Sequence, residues 1–251
     1  MAGHSKWANI KHRKARQDAK KGKQWSKCSK AIMVAARSGG GDPETNLALR
    51  YAIDEAKAVN MPKDTIANAI KKGTGELGAN SYERVVYEGY GPNGVAVMID
   101  SLTDNRNRTA PQLRKIFEGG GGNLGASGCV SYLFQNKGEI YVAKAGEGAD
   151  EEAVMSAALE AGAEDFADEE EAWRVVTDPD SFQAVRDALE AADMQIESAE
   201  LTMIPDNTVT CTGSDAEKVM RFIDNLEDHD DVQKVFANFE IPDEEMAGLE
   251  G

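Results

Sequence analysis

The sequence predicts an α+β protein with a helical N-terminal domain and two small ferredoxin-like α+β domains, one inserted in the other. Three observations carry that prediction. Apolar residues recur every three or four positions up to about residue 75 and then alternate or run together from residue 83. The stretch 138–204 reads βαββαβ, the split βαβ order. Its flanks read ββαβ before and βαβ after; each is incomplete, and joining them in one sheet leaves fewer bare strand edges. The predicted boundaries are 1–79, then 80–135 together with 205–240, with 136–204 inserted. Two consecutive small α+β domains are the competing arrangement.

Within the head, residues 10–21 are good helix formers with few apolar positions, so this segment has little to bury. Gly22 is expected to punctuate it. From Lys23 to Arg37, the spacing of Trp25, Cys28, Ile32, Ala35 and Ala36 predicts an amphipathic helix, stopped by SGGGDP at 38–43. Trp25, with its periodic partners, is read as core. A second helix is predicted over 45–59, with Leu49, Ala52, Ile53 and Ala56 on one face and Asn60 at its end. Pro62 opens a third in its first turn, where a missing N–H costs nothing. Ile66, Ala69 and Ile70 form its apolar face and Gly73 closes it.

The body begins with ERVVYEGY (83–90) and GVAVMIDS (94–101), two strands joined as a hairpin through GPN. A helix over 106–118, the glycine-rich run 119–128, and strands CVSYLF (129–134) and GEIYVA (138–143) follow. Next come a helix in EEAVMSAALEAG, a short strand near 163–167, AWRVVTD (172–178), a helix over 180–192 and the strand IESAELTMI (196–204). The series ends with TVTCT (208–212), a helix over 214–227 and a strand near 232–238. The tail IPDEEMAGLEG carries no pattern and is expected to fray.

Composition narrows the function. A chain of 251 residues with 41% hydrophobic residues can bury two or three cores. It offers no run of the roughly 20 apolar residues that cross a bilayer and no apolar signal-peptide core, so a cytoplasmic protein without a membrane partner is expected. Cys28, Cys129 and Cys211 form no CxxC pair and read as reduced, mostly buried thiols. The net charge of −16 hides a division: residues 1–80 carry +9, whereas residues 136–251 carry −25. One end therefore attracts polyanions and the other repels them.

The basic arm is the densest signal. Lys6, Lys11, Arg13, Lys14, Arg16, Lys20, Lys21, Lys23, Lys27 and Lys30 stand against the single acid Asp18, with His4, Trp7, His12 and Trp25 interleaved. Dense positive charge suits phosphate contacts, and Trp7 and His12 suit stacking on unpaired bases. A solvated basic face, or a tether to the acidic body of another copy, is the alternative. A second signal is TDNRNRT (103–109), where Arg106 and Arg108 stand at a helix entrance capped by Asp104 or Thr109. It reads either as an anion contact or as arginines paired to carboxylates such as Asp104 or Glu118. The third, GGGGNLGASG (119–128), lacks the GK[ST] of a P-loop. It reads either as room for close approach of a ligand or as a helix stop and loose connection. No catalytic or dinucleotide motif is present, and His4, His12 and His229 lack metal-ligand spacing, so no enzyme, cofactor or metal is expected. The acidic clusters 147–152, 164–171 and 227–231 read as a solvated surface that also turns the body away from phosphate.

MAGHSKWANIKHRK, QDAKKGK, VAARSGGGDP, NMPKD, AIKKGTG, YEGYGP and LTDNRNRT closely resemble the YebC family, whose mitochondrial relative is the translational activator of cytochrome c oxidase. The resemblance is dense over 4–138 and looser beyond. Trp25 stands where Phe is expected and Cys129 where Ser is expected, both conservative departures. The resemblance implies three domains, a helical one and two α+β ones, with one interrupting another. It also implies nucleic-acid binding through the basic residues of 6–30, with Lys71 and Lys72 added by position. Some members are described as DNA-binding transcriptional regulators; others look like translation factors that act on ribosomes. The expectation formed here is a monomeric, ribosome-associated translation factor contacting ribosomal RNA and ribosomal proteins. A DNA-binding transcriptional regulator is the alternative, for which the helix at 62–72 offers Asn68, Lys71 and Lys72 as a thin recognition face. A protein-only adaptor using the acidic body is the third reading.

Overall fold

The computed structural model describes residues 21–78, 82–144, 150–169 and 172–242. The head consists of α1 (Lys21–Gly39), α2 (Leu47–Ala58) and α3 (Lys63–Gly73). Gly22 is the second residue of α1, and residues 10–20, from which it is expected to separate that helix, lie outside the described residues. Ile32, Ala36, Leu49, Ile53, Ala56, Ile66 and Ala69 form the buried centre, and Trp25 packs against it as its spacing predicts. The indole Nε1 donates to the Val59 carbonyl at 3.1 Å. Asn46 caps α2 through its Oδ1, which accepts from the Leu49 N–H. Its amide also donates to the carbonyls of Ala35 and Gly40, tying the end of α1 to the start of α2. Asn60, at φ 56°, ends α2 as expected, and Pro62 is the cap residue of α3.

The body has two main sheets. Strands β1 (Glu83–Tyr90) and β2 (Ala96–Thr103) form the predicted hairpin, with Glu83 opposite Thr103 and Tyr90 opposite Ala96. After α4 (Arg106–Gly119), the two-residue β3 (Asn123–Leu124) pairs with the end of β1. CVSYLF is not a strand: Ser131–Leu133 is a 3-10 turn, and the next strand, β4, runs unbroken over Phe134–Ala143. Gly138, which in sequence resembles a break, sits within β4 because Thr177 and Phe182 occupy the space of a Cβ.

The remaining elements are α5 (Glu151–Glu160), β5 (Ala163–Asp168), β6 (Ala172–Thr177), α6 (Phe182–Ala191) and β7 (Ile196–Pro205). Then follow β8 (Val209–Thr210), α7 (Gly213–Glu227), β9 (Val232–Ala237) and β10 (Phe239–Glu240). The order β5-β6-β4-β7, antiparallel throughout, is the ferredoxin-like one, with the first and third strands central. Helices α5 and α6 bury Val154, Ala158, Val185 and Leu189 against Ile140, Val142 and Val175 of this sheet.

The other main sheet has the order β3-β1-β2-β9, and Val97 pairs with Ala237 across the whole intervening sheet. Helices α4 and α7 cover one of its faces. Phe117 and Phe222 meet edge to face between them, with ring centroids 5.0 Å apart. Each such fully buried ring contributes about 1.5–3 kcal/mol by leaving water. β8 and β10 pair in parallel as a small separate ladder.

Candidate nucleic-acid interface

Lys23, Lys27 and Lys30 are spaced by four and three residues, which places them on one stripe of α1. The stripe faces the end of α7, not open solvent. Lys27 Nζ donates to the Glu227 carbonyl at 2.6 Å, and Lys30 Nζ donates to the Asp230 carbonyl at 2.9 Å. Lys23 donates to the Asp228 carbonyl and lies 3.6 Å from the Asp230 carboxylate. For Glu227 and Asp228 the physical cause is the helix terminus, where the last carbonyls of α7 have no intrahelical donors and carry the negative end of the dipole; the Asp230 carbonyl belongs to the turn beyond it. Burial pushes the Lys27 ammonium down to about 8, against the opposing pull of Glu227. Lys30 also sits 5.4 Å from the centre of the Tyr82 ring.

Asp231 is the anchor of this junction. It is 2% exposed. Its carboxylate accepts from Arg108 at 2.7 Å, from the Thr109 hydroxyl at 2.8 Å and from Lys30 at 3.1 Å. Burial alone would raise its pKa, but the donors from Arg108, Thr109 and Lys30 pull it down to about 2. The helix cap of α4 is neither Asp104 nor Thr109. Asn105 fills that position, its side chain accepting from the Arg108 N–H at 3.1 Å. Thr109 is drawn inward instead, 2.8 Å from the Thr103 hydroxyl.

The two arginines of TDNRNRT have intramolecular partners. Arg108 pairs with Asp104 at 2.9 Å as well as with Asp231, and Arg106 pairs with Glu83 at 2.7 Å. Glu118 is not among these partners. His229 sits between the groups: its Nδ1 accepts from the Asp231 N–H at 3.1 Å, which leaves Nε2 to donate to Gln112 at 2.9 Å. Burial lowers its pKa, while Asp231 and Asp230 pull the other way. A cleft of about 610 Å³ opens here, lined by Lys23, Lys30, Tyr82, Arg108, Gln112 and His229 among others.

The glycine-rich loop is shaped by its own neighbours. A Cβ on Gly120 would strike the Phe222 ring, one on Gly122 the Tyr90 backbone, and one on Gly125 the Cys129 sulfur. The loop is held by Glu88, a residue the sequence reading passed over. Its buried carboxylate accepts from the N–H groups of Gly128, Val130 and Ser131 at 2.8–2.9 Å. Burial opposes the charge, yet these backbone donors keep the carboxyl below its ordinary range. The available signal was a carboxylate set among Val85, Val86, Tyr87 and Tyr90 of β1, followed by a glycine-rich run able to supply N–H donors. Tyr132, next to the last of these donors, is 68% exposed.

Lys71 and Lys72 are exposed at the last turn of α3, together with Lys63 and Asn68 on the same helix. Lys6, Trp7, Lys11, His12, Arg13, Lys14, Arg16 and Lys20 lie outside the described residues, as does the side chain of Lys21. Cys211 is buried, and Cys28 and Cys129 are half-buried; all three are free thiols. Among the described residues there is no group of three or more His, Cys, Asp or Glu able to hold a metal ion. Nor is any described helix long and apolar enough to cross a membrane.

Comparison with known proteins places the chain. A model of the TACO1/YebC protein N-terminal domain matches residues 5–76, and one of the TACO1/YebC second and third domain matches residues 82–239. The chain belongs to the TACO1/YebC family. A YebC relative from Dictyoglomus turgidum, called a probable transcriptional regulatory protein, is 54% identical over 99% of this chain and all of its own length. One from Syntrophotalea carbinolica with the same description is 55% identical over the full length of both chains. The crystal structure of a conserved hypothetical protein from Aquifex aeolicus superposes with a TM-score of 0.80 at 48% identity, covering 90% of this chain and 93% of that one.

Proposed function

We propose that this YebC-family chain is a non-enzymatic, nucleic-acid-binding regulator of gene expression that acts on the ribosome as a translation factor. The observation that carries the reading is the division of charge: +9 over residues 1–80 against −25 over residues 136–251. A polyanion is drawn to the head and repelled by the ferredoxin-like sheet and its helices, which fixes the direction of approach. In this reading Lys6, Lys11, Arg13, Lys14, Arg16 and Lys20 bind RNA phosphates, Trp7 and His12 stack on bases, and Lys71 and Lys72 extend the track. Arg106 is engaged with Glu83 inside the body, and Arg108, engaged with Asp104 and Asp231, supports the head–body junction through the Asp231 carboxylate that Lys30 also holds. The descriptions of the curated relatives support a regulator and favour a second reading, a DNA-binding transcriptional regulator.

The test is sedimentation of lysate through sucrose at low and high salt, comparing the full chain with a variant lacking residues 1–20, which leaves α1 intact. Co-sedimentation with ribosomes that needs the arm and is lost at high salt supports the translation reading. Protein that stays at the top of the gradient at every salt, yet shifts purified DNA fragments, moves the assignment to transcription. Ribosome association that survives loss of the arm points to protein contacts alone.

A further inference from the structure

The head meets the body through several charged contacts and through Tyr51. The buried cluster of the head draws on residues of α1, α2, α3 and Met61. Tyr51 reaches across to the ferredoxin-like sheet's core, edge-on to Phe182 at 6.0 Å. Among the described residues the junction also holds polar contacts: the α1 lysines on the 227–231 turn, Arg186 near Asp54 at 3.9 Å, and Lys234 against Glu55 at 3.1 Å. Junctions of this kind permit relative motion.

We propose that the turn 227–231 is a built-in mimic of a phosphate backbone, and that nucleic acid competes with it for Lys23 and Lys27, the outer part of the stripe, loosening the head from the body on binding. This regulation rests on the nucleic-acid reading above. The turn presents what a phosphate chain presents: a short row of oxygens, some anionic, set against ammonium groups about one helical turn apart. Its grip is graded. At the outer end, Lys23 holds Asp228 and Asp230, whose side chains are 51% and 83% exposed, so solvent screens the contact and a denser anion displaces it. In the middle, the half-buried Lys27 ammonium has a neutral carbonyl as its hydrogen-bond acceptor, a poorer partner than a phosphate oxygen. At the inner end, the side chains of Lys30 and Asp231 are only 12% and 4% exposed and Arg108 locks Asp231, so this pair is the pivot. A latch that is weak at the rim and firm at the hinge opens from the rim.

The experiment uses the full chain and neutralises the rim alone, as Asp228→Asn with Asp230→Asn. Binding is read by fluorescence anisotropy on a labelled single-stranded RNA and on a labelled DNA duplex, each at low and moderate salt. A control, Glu197→Gln with Glu217→Gln, removes the same charge at exposed positions away from the stripe. The rim variant is expected to bind about three- to tenfold more tightly than wild type, and the control to change less. Equal affinity, or a control that matches the rim variant, overturns the latch while leaving nucleic-acid binding in place. No binding by any of the three proteins removes the nucleic-acid reading and the latch with it. In wild type, RNA should also speed backbone amide exchange over 228–232; slower exchange there places the ligand on the turn itself and overturns the competition.

Discussion

Lys234 Nζ on β9 lies 2.7 Å from the Glu200 carboxylate on β7 and 3.1 Å from the Glu55 carboxylate on α2. One side chain thus links the helical head to a strand of each main sheet. Burial alone would lower its pKa, but the two carboxylates hold that pKa above the ordinary lysine value. Lys234→Ala should therefore leave two acids facing each other and cost about 1–3 kcal/mol in urea unfolding. Adding Glu55→Gln to that variant should restore part of the loss, and strict additivity would show that the three groups do not act together.

Asp231 ties stability to acid. Its folded pKa is about 2 against an ordinary 3.8, so the folded state prefers the ionised form. The stabilisation, about 2 kcal/mol, is fully present above pH 4 and is lost as pH falls through 2. Asp231→Asn should destabilise the protein at neutral pH and flatten the acid limb of its stability profile. Parallel acid limbs in the two proteins would place the acid sensitivity elsewhere.

Lys27 adds a dependence of the same sign in an alkaline window. Its folded pKa of about 8 lies below the ordinary 10.5, so between those values the unfolded chain binds more protons than the folded one. The Lys27 contribution should make the protein more stable as pH rises through that window. Lys27→Met, which keeps the length and removes the charge, should cost less at pH 7 than Lys30→Met, because Lys30 loses a carboxylate partner as well as a carbonyl. Chemical denaturation of both variants at pH 7 and 9 checks the order.

Glu88 should govern the order of the glycine-rich loop. Glu88→Gln leaves a single acceptor oxygen for three backbone donors and should cost about 1–3 kcal/mol. Faster amide exchange at Gly128, Val130 and Ser131 is the local signature. Unchanged exchange would mean that the loop holds itself.

Neighbouring glycines should respond differently. Gly120→Ala drives a methyl into the Phe222 ring and should cost about 1–3 kcal/mol. Gly119→Ala meets nothing within 4 Å, sits in a helical turn and should be neutral or mildly stabilising. If Gly119→Ala instead weakened RNA binding without loss of stability, a ligand would approach that glycine.

The fold was legible where local spacing and tertiary packing agree. Leu49, Ile53 and Ala56 read as a helix face and form one, and the βαββαβ pattern of 138–204 folds into the sheet order it implies. Reading failed where a distant neighbour decides the local outcome. Gly138 looks like a break until Phe182 explains it, and CVSYLF has strand composition but turns because Glu88 gathers its N–H groups. Within the site, the Arg108–Asp104 pair could be read from four-residue spacing. The meeting of Lys23, Lys27 and Lys30 with residues 227–231 could not: composition shows two opposite charge runs and not which surfaces touch.

The pairing of β2 with β9 also sets an order of assembly during synthesis. Val97 must wait for Ala237, whereas every strand from Phe134 to Pro205 emerges before β9 does. The ferredoxin-like sheet can therefore close while the nascent chain still lacks β9, and the edge of β2 stays open until residues 232–237 have emerged. An unpaired strand of buried apolar residues is the state most open to wrong partners. The slow, aggregation-sensitive step of biogenesis is thus the arrival of β9, and substitutions in it should lower yield in cells more than they lower the stability of the finished protein.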